Sequence, residues 1–122
     1  MNTDAMNTDA MNMILHICSR SAWDEAQSRG DYRAASLDTE GFIHCSTPEQ
    51  VVGTANLLFQ GQKGLVLLVI NSEKVSAPIK YEDAGNDQFF PHVYGPINLD
   101  AVVDVREFAP EFDGTFRQPD LG

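Results

Sequence analysis

An α+β fold built on a mixed or antiparallel sheet is the class this sequence predicts, and three observations predict it. Residues 65–70, Leu-Val-Leu-Leu-Val-Ile, make a continuous aliphatic run, the pattern of a strand covered on both faces. Two helix signatures with recognisable ends fall before it, at residues 19–30 and 47–61. Shorter strand patterns follow it at 79–83 and 101–108, so most strands lie in the C-terminal half. With 122 residues, 43% of them hydrophobic, the chain has the size and apolar content of one compact domain.

Taken in order, residues 13–18 read as the first strand. Ser19 offers an N-cap to a helix ending near Arg29, with Gly30 at its C-terminal stop. Ala22, Trp23 and Ala26 form its apolar stripe, so Trp23 belongs to the core. Residues 31–40 are expected to be a polar connection. Residues 42–46, Phe-Ile-His-Cys-Ser, are the next strand, and the two-residue period sets Phe42, His44 and Ser46 on one face and Ile43 and Cys45 on the other. Thr47, Pro48 and Gln50 spell a helix start with a capping box, and Gly61 follows its end near Phe59. Residues 84–88, rich in Gly, Asn and Asp, are a turn. The segment after Pro110 lacks periodicity and is expected to pack as an irregular strip.

Residues 1–10 are two copies of Met-Asn-Thr-Asp-Ala, and a third partial copy begins at Met11. Nothing in them builds a core, so residues 1–12 are expected to form a disordered tail ahead of a single domain over 13–122. The tail has neither the basic start nor the apolar centre of a signal peptide, and no stretch reaches the roughly 20 apolar residues of a membrane span. A net charge of -10 argues against a groove that neutralises phosphate backbone, so nucleic acid is a disfavoured partner. Cys18 and Cys45 lie in apolar strands without a multi-pair framework, which fits reduced thiols in a cytoplasmic protein. The oligomeric state is not readable from these features.

All three histidines sit in short apolar segments: His16 in Ile14-Leu15-His16-Ile17, His44 in Phe42-Ile43-His44-Cys45-Ser46, and His92 in Phe90-Pro91-His92-Val93-Tyr94. The bland explanation for any one of them is a half-buried ring held by a hydrogen bond. Their similar settings instead suggest one shared cleft of His16, His44, Ser46, His92 and Tyr94. A neutral imidazole supplies one donor and one acceptor, suited to vicinal ribose hydroxyls, and Ser46 adds a hydroxyl. Arg20, at a helix start, is placed to hold a phosphate. A metal site would require His16, His44 and His92 to converge, or His44 with Cys45 and a carboxylate. A Cys45 nucleophile is opposed by its in-phase pairing with Ile43, which favours the core. No metal ligand is assigned.

The succession Ile14-Leu15-His16-Ile17, Gly41-Phe42-Ile43-His44-Cys45-Ser46, Leu65 to Ile70 and Phe90-Pro91-His92-Val93-Tyr94-Gly95-Pro96 resembles a small bacterial family called domain of unknown function 952. More distantly, the order of strand with His, helix, strand with His-x-Ser, helix and aliphatic strand resembles the ADP-ribosyltransferase superfamily, including RNA 2′-phosphotransferases. That second resemblance implies a curved, split β-sheet that binds NAD or ADP-ribose, with ADP-ribosyl or phosphoryl transfer as the activity. It implies that His16 hydrogen-bonds the adenosine ribose, that His44 and Ser46 form the His-x-Ser pair, and that Glu82 supplies the acidic residue, with His44 and Glu82 as the catalytic pair. The expected function is a His-lined cleft for a nucleotide-like ligand; a non-catalytic binding module is the alternative, and a His-based metal site a second one.

Overall fold

The computed structural model describes residues 12–85 and 87–121, so the expected tail lies, except for Asn12, outside the described residues. In chain order the elements are β1 (Met13–Ser19), α1 (Arg20–Arg29), β2 (Asp31–Tyr32), α2 (Ala35–Thr39), β3 (Ile43–His44) and α3 (Val51–Leu58). They continue with β4 (Leu65–Asn71), β5 (Ile79–Asp83), β6 (Phe89–Val93), β7 (Ile97–Asn98) and β8 (Val102–Glu107). The strands pair as β1-β4-β8, β2-β7 and β3-β6-β5, and every pairing is antiparallel. Leu15 and Ser46 exchange two backbone hydrogen bonds of 2.7 and 2.8 Å, tying β1 to the end of the β3 segment. The fold is thus α+β with antiparallel sheets and few helices.

The aliphatic run becomes the middle strand β4, between β1 and β8. Its alternate residues feed two cores. Val66, Leu68 and Ile70 pack with Ile14, Trp23 and Ala26 on the α1 side, while Leu65, Leu67 and Val69 pack with Leu15, Ile17, Val51 and Ala55 on the α3 side. A strand with a helix on each face has no solvent side, which is why its sequence does not alternate. The C-terminal strip closes the second core through Phe116, stacked on Phe108 at 4.8 Å, whereas Phe112 stays exposed.

Helix ends follow the sequence closely at α1. The Ser19 hydroxyl accepts from the Ala22 amide at 3.1 Å, and Gly30 adopts φ 107°, the left-handed conformation that ends a helix without a side-chain clash. At α3 the capping-box bond forms, with Gln50 Oε1 accepting from the Thr47 amide at 3.0 Å. The residues between them make a turn, and the α-helix proper begins only at Val51.

The expected polar connection over 31–40 contains structure instead. Tyr32 is buried and pairs with Ile97 in β2-β7, and the short helix α2 follows, so the N-terminal half holds three helices rather than two. A two-residue strand carries no periodicity to read, and α2 has no side-chain N-cap to announce it. Pro91 likewise lies in the middle strand of β3-β6-β5. It accepts from the Cys45 amide at 3.0 Å but has no N–H to return the bond, which explains why the β3 ladder stops at His44.

Candidate functional site

Register brings two histidines together. His44 on β3 is the direct partner of His92 on β6, and Lys80 of β5 is the partner of His92 on its other side. Antiparallel partners project to the same face, so Phe42, His44, Glu82, Phe90, His92 and Tyr94 share one side of this sheet. Ile43, Cys45 and Val93 point the other way into the core, where all three are buried.

On the shared face Phe42 stacks on the His92 ring at 4.1 Å and 16°, and the His44 ring meets His92 edge-on at 5.2 Å. His92 Nδ1–H donates to Glu82 Oε1 at 2.7 Å, and the Tyr94 hydroxyl donates to the same oxygen at 2.6 Å. These two donors, Tyr94 first, hold the Glu82 carboxyl below its ordinary range, and the carboxylate in turn raises the Tyr94 phenol. Lys80 Nζ lies 4.8 Å over the Tyr94 ring and steadies it from outside. A carboxylate accepts only, so the Glu82 bond fixes the proton of a neutral His92 ring on Nδ1 and puts the lone pair on Nε2. Nε2 has no hydrogen-bond partner among the described residues. His44, half exposed, is tied through Nε2 to Glu40 at 3.1 Å.

His16 has a different setting. Its Nδ1–H donates to the His44 carbonyl at 2.6 Å, and its Nε2 accepts from the Tyr32 hydroxyl at 2.7 Å. That hydroxyl also meets the Cys18 thiol. Burial lowers the His16 pKa to about 4, so the ring is neutral near pH 7. Both ring nitrogens are already satisfied within the protein. His16 therefore lines the cleft with both ring nitrogens engaged by Tyr32 and the His44 carbonyl, a different setting from the ribose contact expected for it.

A cleft of about 710 Å³ opens between this sheet, β1 and α3. His16, His44, Ser46 and His92 line it. Ser46 is buried, and its hydroxyl donates to the Thr54 hydroxyl at 3.3 Å. Tyr94 and Glu82 stand behind His92 rather than in the lining. Arg20 is not among the lining residues; its guanidinium pairs with Glu107 of β8 at 3.2 Å, and its backbone amide is taken by Gly64. Arg20 therefore stands apart from the cleft residues with which it was expected to act.

The α3 wall was not anticipated: Gln50, Gly53, Thr54, Leu57 and Leu58 all face the cleft. Their spacing of three and four residues marks one helix face that mixes polar and apolar positions. Tyr32, which positions His16, carried no comparable signal. Cys45 also borders the cleft, yet burial pushes its thiol up to about 12, so it does not offer a thiolate. Among the described residues, no group of three or more His, Cys, Asp or Glu side chains is arranged to hold a metal ion. The two cysteines are free and buried, and no described helix is long and apolar enough to cross a membrane.

Solved structures similar to this chain include the crystal structure of protein CC0527 from Caulobacter crescentus, 34% identical, with a TM-score of 0.80 over 86% of this chain and 93% of that one. The crystal structure of a double mutant of the same protein gives a TM-score of 0.79 at the same identity and coverage. Its solution NMR structure gives 0.76 over 87% of this chain and 92% of that one, again at 34% identity. No curated protein matches the chain. The profile of DUF952, described as a protein of unknown function, matches residues 17–105, and with most of its length so matched this chain belongs to the DUF952 family.

Proposed function

We propose that the cleft binds a nucleoside-like small molecule and that His92, oriented by Glu82, is the proton acceptor toward it. The observation that carries this reading is the pair of short bonds converging on Glu82, which leave the His92 Nε2 lone pair unclaimed beside the cleft. A carboxylate that fixes an imidazole tautomer is the arrangement general-base chemistry needs. His92, Ser46 and Thr54 supply uncharged donors and acceptors for sugar hydroxyls. NAD and ADP-ribose are the nucleotide-like ligands to consider. Among the described residues no Lys or Arg lines the cleft, so the nucleoside end enters and the phosphates stay in solvent. In the ADP-ribosyl transfer implied by resemblance, His92 would take the proton of an acceptor hydroxyl as its oxygen bonds to the ribose anomeric carbon and nicotinamide leaves with the electrons of the broken bond. Phosphoryl transfer is less well served, because nothing cationic faces the site.

One observation favours a second reading, a binding module without a reaction. The Cys45 thiol is held up near 12 and the Ser46 hydroxyl is engaged with Thr54, so the lining lacks an activated nucleophile. Titration with adenosine, NAD and ADP-ribose, followed at the His44 and His92 rings and the Ser46 amide, tests binding. Saturable shifts are expected with all three, and silence at millimolar ligand rules out the nucleoside reading. Nicotinamide release from NAD that disappears in Glu82→Ala separates the enzyme from the module.

A further inference from the structure

The chain carries 8 basic and 18 acidic residues, yet among the described residues not one Lys, Arg, Asp or Glu lines the cleft. A wall free of formal charge, in so acidic a protein, has no counter-ion for an anionic ligand and no carboxylate for a cationic one. Polarity also changes along α3. Thr54, with Ser46 beside it, provides hydroxyls near the start of the helix, whereas its last turn presents Leu57 and Leu58, 80% and 66% exposed. Two such exposed leucines, lining the same cleft as Phe90, make an apolar surface that the described residues leave uncovered.

Gly53 lies on the cleft face of α3, one residue before Thr54 and one turn before Leu57. A Cβ built there would meet nothing within 4 Å, and no positive φ demands glycine at this position. Glycine inside a helix is less stable than alanine, so packing and backbone geometry both leave it unexplained. What the missing side chain does is keep the cleft open along the helix.

We propose that the cleft takes an uncharged amphipathic molecule, with a hydroxyl or carbonyl head among Ser46, Thr54 and His92 and an aliphatic or aromatic arm laid over Gly53 against Leu57 and Leu58. Gly53 is the specificity-determining residue that admits the arm. This deepens the preceding reading, since it rests on the cleft being a ligand site, and it narrows the ligand to one without a phosphate in contact with the protein.

The probes are n-alcohols from butanol to octanol and the n-carboxylates of matching length, titrated into the full chain and followed by NMR at residues 46, 53, 54, 57, 58 and 92. Alcohols are expected to shift the α3 amides with affinity rising about fourfold per methylene, the value of a buried CH₂. Carboxylates of equal length should bind at least about tenfold more weakly, because the lining cannot pair their charge. Gly53→Leu should abolish alcohol binding with no fall in melting temperature, and Gly53→Ala should melt higher than wild type. Affinity independent of chain length, carboxylates that bind as tightly as alcohols, unchanged binding by Gly53→Leu, or shifts at 57 and 58 that follow protein rather than probe concentration, as a second copy of the chain would cause, each overturn the proposal. Chain-length dependence with shifts at 46, 54, 57 and 58 and no change in the tautomer or protonation of His92 would instead keep this inference and remove the general-base reading. Adenosine shifts at His92 without chain-length dependence would do the reverse.

Discussion

His16 and His92 occupy almost identical sequence settings, a histidine flanked by apolar residues in a strand, and the fold gives them opposite hydrogen-bond surroundings. His16 is enclosed by β1, Tyr32 and the His44 backbone, with both nitrogens bonded and its charge suppressed. His92 has one nitrogen anchored to Glu82 and the other unclaimed at the cleft. A histidine's function is therefore decided by what takes its second nitrogen, and that partner is set by tertiary contact rather than by neighbours in sequence.

The largest expected effect breaks the buried half of the comparison. His16→Ala should cost about 3 kcal/mol in urea denaturation, since it removes a buried ring and strands the Tyr32 hydroxyl and the His44 carbonyl. A loss under about 1 kcal/mol would mean that the network is not closed as described. The pH dependence comes next. A group whose folded pKa lies near 4 against 6.5 unfolded binds its proton in the unfolded chain first, so stability must fall as pH drops through this window. Between pH 7 and 5 the loss should be roughly 2 kcal/mol, and it should vanish in His16→Gln. The depressed carboxyl of Glu82 loses its contribution only at lower pH, as it approaches protonation, and does not confound the interval.

The cleft half responds more in chemistry than in stability. Glu82→Gln should release His92 from the single Nδ1–H tautomer, visible as a change in its ring nitrogen shifts, while His16 is untouched. If His92 keeps its tautomer in Glu82→Gln, the carboxylate is not what orients it. The smallest effect belongs to His44→Ala, expected within about 0.5 kcal/mol of wild type because the ring is half exposed.

Local signals made much of the fold legible. Ser19 and Gly30 bounded α1, the aliphatic run located β4, and the two-residue period separated Phe42 and His44 from the core residues Ile43 and Cys45. Pairing register was not legible, and it is register that sets His44 opposite His92 and brings Glu82 within reach of both His92 and Tyr94. Arg20 illustrates the same limit. Its place at a helix start was readable, but the pairing of β4 with β8 that delivers Glu107 to it was not. Tyr32, in a strand of two residues, gave no warning that it would claim His16.

The most direct test of this division of labour is a long-range proton–nitrogen correlation spectrum of the histidine rings at about pH 8, recorded without and with adenosine. Both His16 and His92 should be protonated on Nδ1, and adenosine should move the Nε2 resonance of His92 while leaving that of His16 in place. A His92 ring protonated on Nε2, or an equal response at His16, would contradict the assignment of His92 as the cleft's proton acceptor and His16 as its buried support.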